Sequence, residues 1–137
     1  LNPAPACALP EEIFQYIDLM TPNQTESEFY TGVPVNDEAS AEEAAAALRA
    51  KGVGDIIMTM GSKGSMGFTK EGTFFTPSHK VNAVDTTAAG DTFCGGLAVA
   101  ISEGKTLKEA AAFATAASAL TVQKMGAQES IPYRNNL

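Results

Sequence analysis

Val84-Asp85-Thr86-Thr87-Ala88-Ala89-Gly90-Asp91-Thr92-Phe93 sets two carboxylates six residues apart around a turn of small residues, directly ahead of a stretch with helical apolar spacing. Small residues let backbone N–H groups turn outward, and a helix starting here adds its positive dipole end, so the turn suits an anion such as a phosphate. Asp91 then stands beside that anion. A carboxylate there is electrostatically costly unless it works, and accepting the proton of an attacking hydroxyl in phosphoryl transfer is such work. Taken alone, the turn reads more simply as a structural cap, because Asp and Thr are ordinary N-cap residues.

Outward from this turn, helices and strands alternate. Leu9–Ile17 has proline and acids in a first turn and apolar residues at Ile13, Phe14 and Ile17, predicting a short amphipathic helix. Asp18–Thr21 reads as a brief strand, and a short helix after Pro22-Asn23 should stop at Gly32. Ser40-x-x-Glu43 predicts a capping box opening an alanine-rich helix that stops at Gly52. Asp55–Met60, an apolar run near glycines, predicts a buried parallel strand. Ser65–Thr69 and Thr73–Thr76, joined by Lys70-Glu71-Gly72, predict a hairpin, and Val81–Val84 a further strand. Gly90–Glu103 predicts a helix closed by Gly104, and the Thr106-x-x-Glu109 box a helix to about Gln123. This alternation implies an α/β sheet covered by helices on its faces.

Four sequence words carry a family resemblance. The run Asp85–Phe93 resembles the C-terminal signature of the ribokinase-type, phosphofructokinase-B-like sugar kinases. Thr21-Pro22-Asn23-Gln24-Thr25-Glu26 is similar to that family's Asn-x-x-Glu element, and Thr59-Met60-Gly61-Ser62-Lys63-Gly64 to its nucleotide strand and turn. Gly126-Ala127-Gln128-Glu129-Ser130-Ile131-Pro132 resembles the tail of its ribokinase branch. The resemblance implies a ribokinase-like α/β sandwich, with a mostly parallel sheet flanked by helices. It also implies that this chain is the C-terminal, nucleotide- and base-bearing part, since the opening Leu1-Asn2-Pro3 lies mid-protein in such kinases and enters as if leaving a strand. The sugar-gripping part and lid would precede it.

The resemblance further implies an ATP-dependent kinase that phosphorylates the 5-hydroxyl of D-ribose. Asp91 would be the base, and the N–H groups of Ala88, Ala89 and Gly90 the anion hole. Asn23 and Glu26 would stand near the triphosphate and its hydrated Mg²⁺, and Thr59, Gly61, Ser62, Lys63 and Gly64 near the nucleotide, with Gly90 also in contact. Thr115 is a candidate adenine neighbour. A monovalent cation, K⁺, would be held by Asp85, the carbonyls of Thr87, Thr121, Lys124 and Gly126, and Ser130. Rival readings are a kinase of another sugar or a nucleoside, and a noncatalytic nucleotide-binding domain.

Composition bounds these readings. The 137 residues are 45% hydrophobic, enough for one compact domain. Nine basic against sixteen acidic side chains give a net charge of −7, which disfavours nucleic acid and anionic membrane as partners. Cys7 and Cys94 form no metal or disulfide pattern, fitting a reduced cytoplasm. No apolar run approaches the ~20 residues of a membrane helix, and no leader opens the chain. ATP and a small sugar are the expected partners, with homodimerisation through the missing lid. Gly104-Lys105-Thr106 imitates the end of a P-loop but lacks the earlier glycine and the preceding strand, and the single His79 reads as a surface residue.

Overall fold

The alanines at 41, 44, 45 and the leucine at 48 recur at helical spacing and are buried, which gives helix α2 (Glu38–Ala50) one apolar face. That face meets a sheet. A computed structural model describes all 137 residues, and they divide into two compact units: Leu1–Gly61 with Ser65–Phe75, and Ser62–Gly64 with Thr76–Leu137.

The first unit holds strands β1 (Leu19–Met20), β2 (Asp55–Thr59), β3 (Gly64–Thr69) and β4 (Gly72–Pro77), in that spatial order, although both ends of the β3–β4 hairpin run into the second unit. β1 and β2 are parallel, with Met20 opposite Ile56, and an isolated parallel bridge joins Asn23 to Thr59. β2 and β3 are antiparallel, pairing Ile56 with Phe68 and Met58 with Met66. These four side chains share one face because strand side chains alternate, and they form a single core with α2, Phe14 and Met20. Within this chain the parallel part of the sheet is therefore β1–β2, while the hairpin adds an antiparallel edge. The Leu1 N–H donates to the Leu19 carbonyl (2.7 Å) and the Leu1 carbonyl accepts from Thr21 (2.9 Å), the bonding pattern of a parallel neighbour to β1.

Helix α1 (Gln24–Thr31) ends at Gly32, whose φ of 73° is the left-handed conformation the stop signal predicts. Three local expectations are corrected. The first helical segment, Glu11–Tyr16, is a 3₁₀ helix with Ile13 exposed. α2 begins earlier than Ser40-x-x-Glu43 suggests, because Asp37 is the N-cap and Ser40 the reciprocating residue of its box. Val81–Val84 is not a strand: both valines are exposed, and the Val84 N–H meets one carbonyl, that of Val122, in place of a ladder.

In the second unit, α3 (Ala89–Ser102) and α4 (Leu107–Thr121) pack as an antiparallel pair. Gly96 makes the close approach possible, since a Cβ there would lie 3.1 Å from Ala114 Cα. The Thr106–Glu109 capping box opens α4 as its sequence predicts. No helix is long and apolar enough to cross a membrane.

Candidate active site

Capping boxes close the N-termini of α1, α2 and α4, but no side chain caps α3. Its first N–H groups are correspondingly open: Ala88, Gly90 and Asp91 find no acceptor in the chain, whereas the Ala89 N–H donates to the Thr86 carbonyl (3.1 Å). Of the three N–H groups expected to face an anion, that of Ala89 is thus already engaged, while Asp91's own N–H is open. Nothing lies within 4 Å of where a Gly90 side chain would begin, so the turn can be approached closely. Asp91 is exposed in the first turn, with no hydrogen-bond partner holding its carboxylate. The end of α3 is itself rigidly mounted on α4, through Ser118 Oγ to the Ala89 carbonyl (2.9 Å) and the Thr92–Thr121 hydroxyl pair (3.1 Å).

Asp85 anchors the approach to this turn. One oxygen accepts the Thr87 N–H (2.9 Å) and hydroxyl, and the other accepts the Gly126 N–H (3.0 Å) from 41 residues away. The Thr87 hydroxyl, then the Thr87 and Gly126 N–H groups, hold this carboxyl below the usual aspartate range. Val84 and Asp85 also share the Val122 carbonyl as acceptor. Of the residues assigned to a cation, the structure joins Asp85, Thr87 and Gly126 directly. The Thr121 carbonyl accepts from the Lys124 N–H, and the buried Ser130 hydroxyl turns to the Ala127 carbonyl (2.7 Å). Gly126 enters as an N–H donor to Asp85, a contact no local sequence signal announces.

In the first unit, Asn23 and Glu26 form the capping box of α1: Asn23 Oδ1 accepts the Glu26 N–H and Glu26 Oε2 accepts the Asn23 N–H, both at 2.8 Å. The cap is real, yet it leaves Glu26 Oε1 without a partner in the chain. The Asn23–Thr59 bridge and the Thr59 N–H to Pro22 carbonyl bond (2.9 Å) gather this element at the end of β2. The next turn is divided. Gly61, with φ 57°, faces open space, and Ser62 and Lys63 are exposed. Gly64 lies against backbone: a Cβ there would stand 2.0 Å from the Thr76 carbonyl oxygen, so the absence of a side chain lets two backbones touch. Thr115 is buried, with its hydroxyl on the Ala111 carbonyl of its own helix (2.8 Å).

The sequence profile of the pfkB family carbohydrate kinases matches residues 1–134. The chain belongs to that family. It is 48% identical over 134 residues to a ribokinase of Haemophilus influenzae, a match covering 98% of this chain and 44% of that relative. The ribokinase of Thermotoga maritima superimposes with a TM-score of 0.88 at 46% identity, covering 98% of this chain and 45% of that one. Arabidopsis thaliana ribokinase, solved with ribose and ATP, gives 0.88 at 38% identity, covering 92% and 41%. The chain spans less than half the length of these family members, and its ribokinase-like α/β fold is theirs.

Proposed function

We propose that the complete protein transfers the γ-phosphoryl group of ATP to the 5-hydroxyl of D-ribose. The observation that carries this reading is the uncapped α3 terminus with the unpaired Asp91 carboxylate in its first turn. Identity to ribokinases and likeness to one solved with ribose and ATP support the choice of substrates. Asp91 accepts the hydroxyl proton as that oxygen attacks the γ-phosphorus. The bond from phosphorus to the bridging oxygen breaks, and ADP leaves with the electron pair. The N–H groups of Ala88, Gly90 and Asp91 donate to the oxygens on which charge gathers.

Glu26, through its unpaired oxygen, and Asn23 would hold hydrated Mg²⁺ at second hand, and Thr59, Gly61, Ser62 and Lys63 would line the nucleotide. The donor set around Asp85, Thr87, Thr121, Lys124, Gly126 and Ser130 is entirely oxygen, which fits K⁺. Bound there, K⁺ would supply positive charge beside the phosphoryl pocket. A cytoplasmic site of action and a homodimeric complete protein belong to the same reading.

The test is Asp91→Asn in the complete polypeptide, assayed with ATP and a sugar panel. Turnover of ribose should fall by at least about a hundredfold with ATP binding retained; turnover at the parent rate would overturn the assignment.

A further inference from the structure

Asp85 is gripped by Gly126, and the exposed segment that carries Gly126 is held on one side by bonds of residues 122–124 to the end of α4 and on the other by the buried Ser130. Residues 122–130 leave α4 at Thr121, touch residues 84 and 85 through the Val122 carbonyl, and fold back on themselves where Ser130 meets Ala127. Beyond Ser130 the chain is exposed, with Tyr133 at 81% of full accessibility. It is then tied down once. Arg134 places its two terminal nitrogens on the two oxygens of Glu103 at 2.6 and 3.0 Å, and its guanidinium lies 4.9 Å from the centre of the Phe113 ring.

Both anchors belong to the helix pair that carries Asp91, since Glu103 is the C-cap of α3 and Phe113 is in α4. An exposed ion pair ordinarily contributes little. A two-pronged guanidinium–carboxylate contact stacked on an aromatic ring, with both partners on packed helices, is the favourable case. It adds a second fixed point beyond the buried Ser130, so that the tail after residue 130 cannot pull that residue out of its place, which reduces the entropy lost when Gly126 engages Asp85.

We propose that Arg134 is a positioning residue: its clamp on Glu103 and Phe113 holds the 122–130 segment in the form in which Gly126 grips Asp85. The consequence for phosphoryl transfer rests on the function proposed above. The clamp itself does not.

Amide exchange at Gly126 in the complete protein reads the clamp directly. Arg134→Ala should speed that exchange about three- to tenfold while amides in the middle of α4 are unaffected. The K⁺ concentration giving half-maximal thermal stabilisation, and that for half-maximal turnover, should rise by a similar factor. Arg134→Lys, which keeps the charge and loses the fork, should fall between, and the exchanged pair Glu103→Arg with Arg134→Glu should recover part of the protection. Gly126 exchange unchanged in both Arg134→Ala and Glu103→Gln would overturn the proposal. Should Asp91→Asn keep full turnover, the phosphoryl-site reading falls, while the exchange rates still decide the clamp.

Discussion

Replacing Gly64 by alanine separates a glycine pressed against backbone from one, three residues earlier, that faces open space. At Gly64, φ is 120°, and the added Cβ would stand 2.0 Å from the Thr76 carbonyl oxygen, 2.7 Å from the Ser78 nitrogen and 2.9 Å from the Pro77 carbonyl carbon. An ordinary carbon–oxygen contact begins near 3.3 Å, so the two backbones must part by roughly 1.3 Å. A φ this large lies outside the left-handed well and costs an alanine about 1–3 kcal/mol, and overpacking against unyielding neighbours adds about 1–3 kcal/mol. The sum, about 2–6 kcal/mol, is a large share of the 5–15 kcal/mol typical of a folded protein.

Gly61→Ala is the control. Its φ of 57° lies in the left-handed well that alanine can occupy, and nothing lies within 4 Å of the new methyl, so it should cost only about 1 kcal/mol. Gly67→Ala should fall between, because the obstacle there, the Phe74 ring, can swing aside. Urea denaturation of the complete protein, followed by circular dichroism, gives the three differences. Equal losses for Gly64→Ala and Gly61→Ala, within about 0.5 kcal/mol, would refute the claim that the Thr76 contact sets the requirement for glycine.

Three further outcomes follow from the helix pair and the charged groups. Gly96→Val should destabilise by about 2 kcal/mol in the same assay, because its side chain would enter a space only 3.1 Å deep against Ala114. Thr115→Val should leave the KM for ATP within about twofold of the parent, since the hydroxyl it removes faces Ala111. Asp85, Glu103 and Glu109 are held below their ordinary values, chiefly by the Thr87 hydroxyl, the Arg134 guanidinium and the Thr106 N–H respectively. Depressed carboxyl values contribute stability that is complete above the unfolded pKa of about 4 and disappears as pH falls through the folded values. The urea midpoint should therefore hold from pH 7 to about 5 and decline in acid, less steeply in Glu103→Gln; an unchanged acid slope in that variant would count against the Arg134 pairing.

Much of this fold is local and could be read from neighbouring residues. Asn23 with Glu26 and Thr106 with Glu109 sit three apart, the spacing at which a helix start brings side chain to backbone, and both boxes are present. Gly32 and Gly104 end their helices in left-handed conformations for the same short-range reason. Asp37 was missed because the Ser40-x-x-Glu43 pattern also fits a cap, and only the preceding backbone decides which residue opens the helix. Val81–Val84 has strand composition, but a strand needs a partner, and none arrives beside it.

By itself the amino-acid order determined the family, the small-residue turn ahead of α3 and the presence of Asp91 beside it, since these depend on residues within a few positions of one another. Tertiary structure alone decided that Gly64 serves backbone contact, that the Ala89 N–H is already engaged, that Thr115 turns to its own helix and that Gly126 closes on Asp85. Such contacts depend on where distant segments meet, and a Cβ collision or a bond across 41 residues leaves no mark on the spacing of neighbouring side chains.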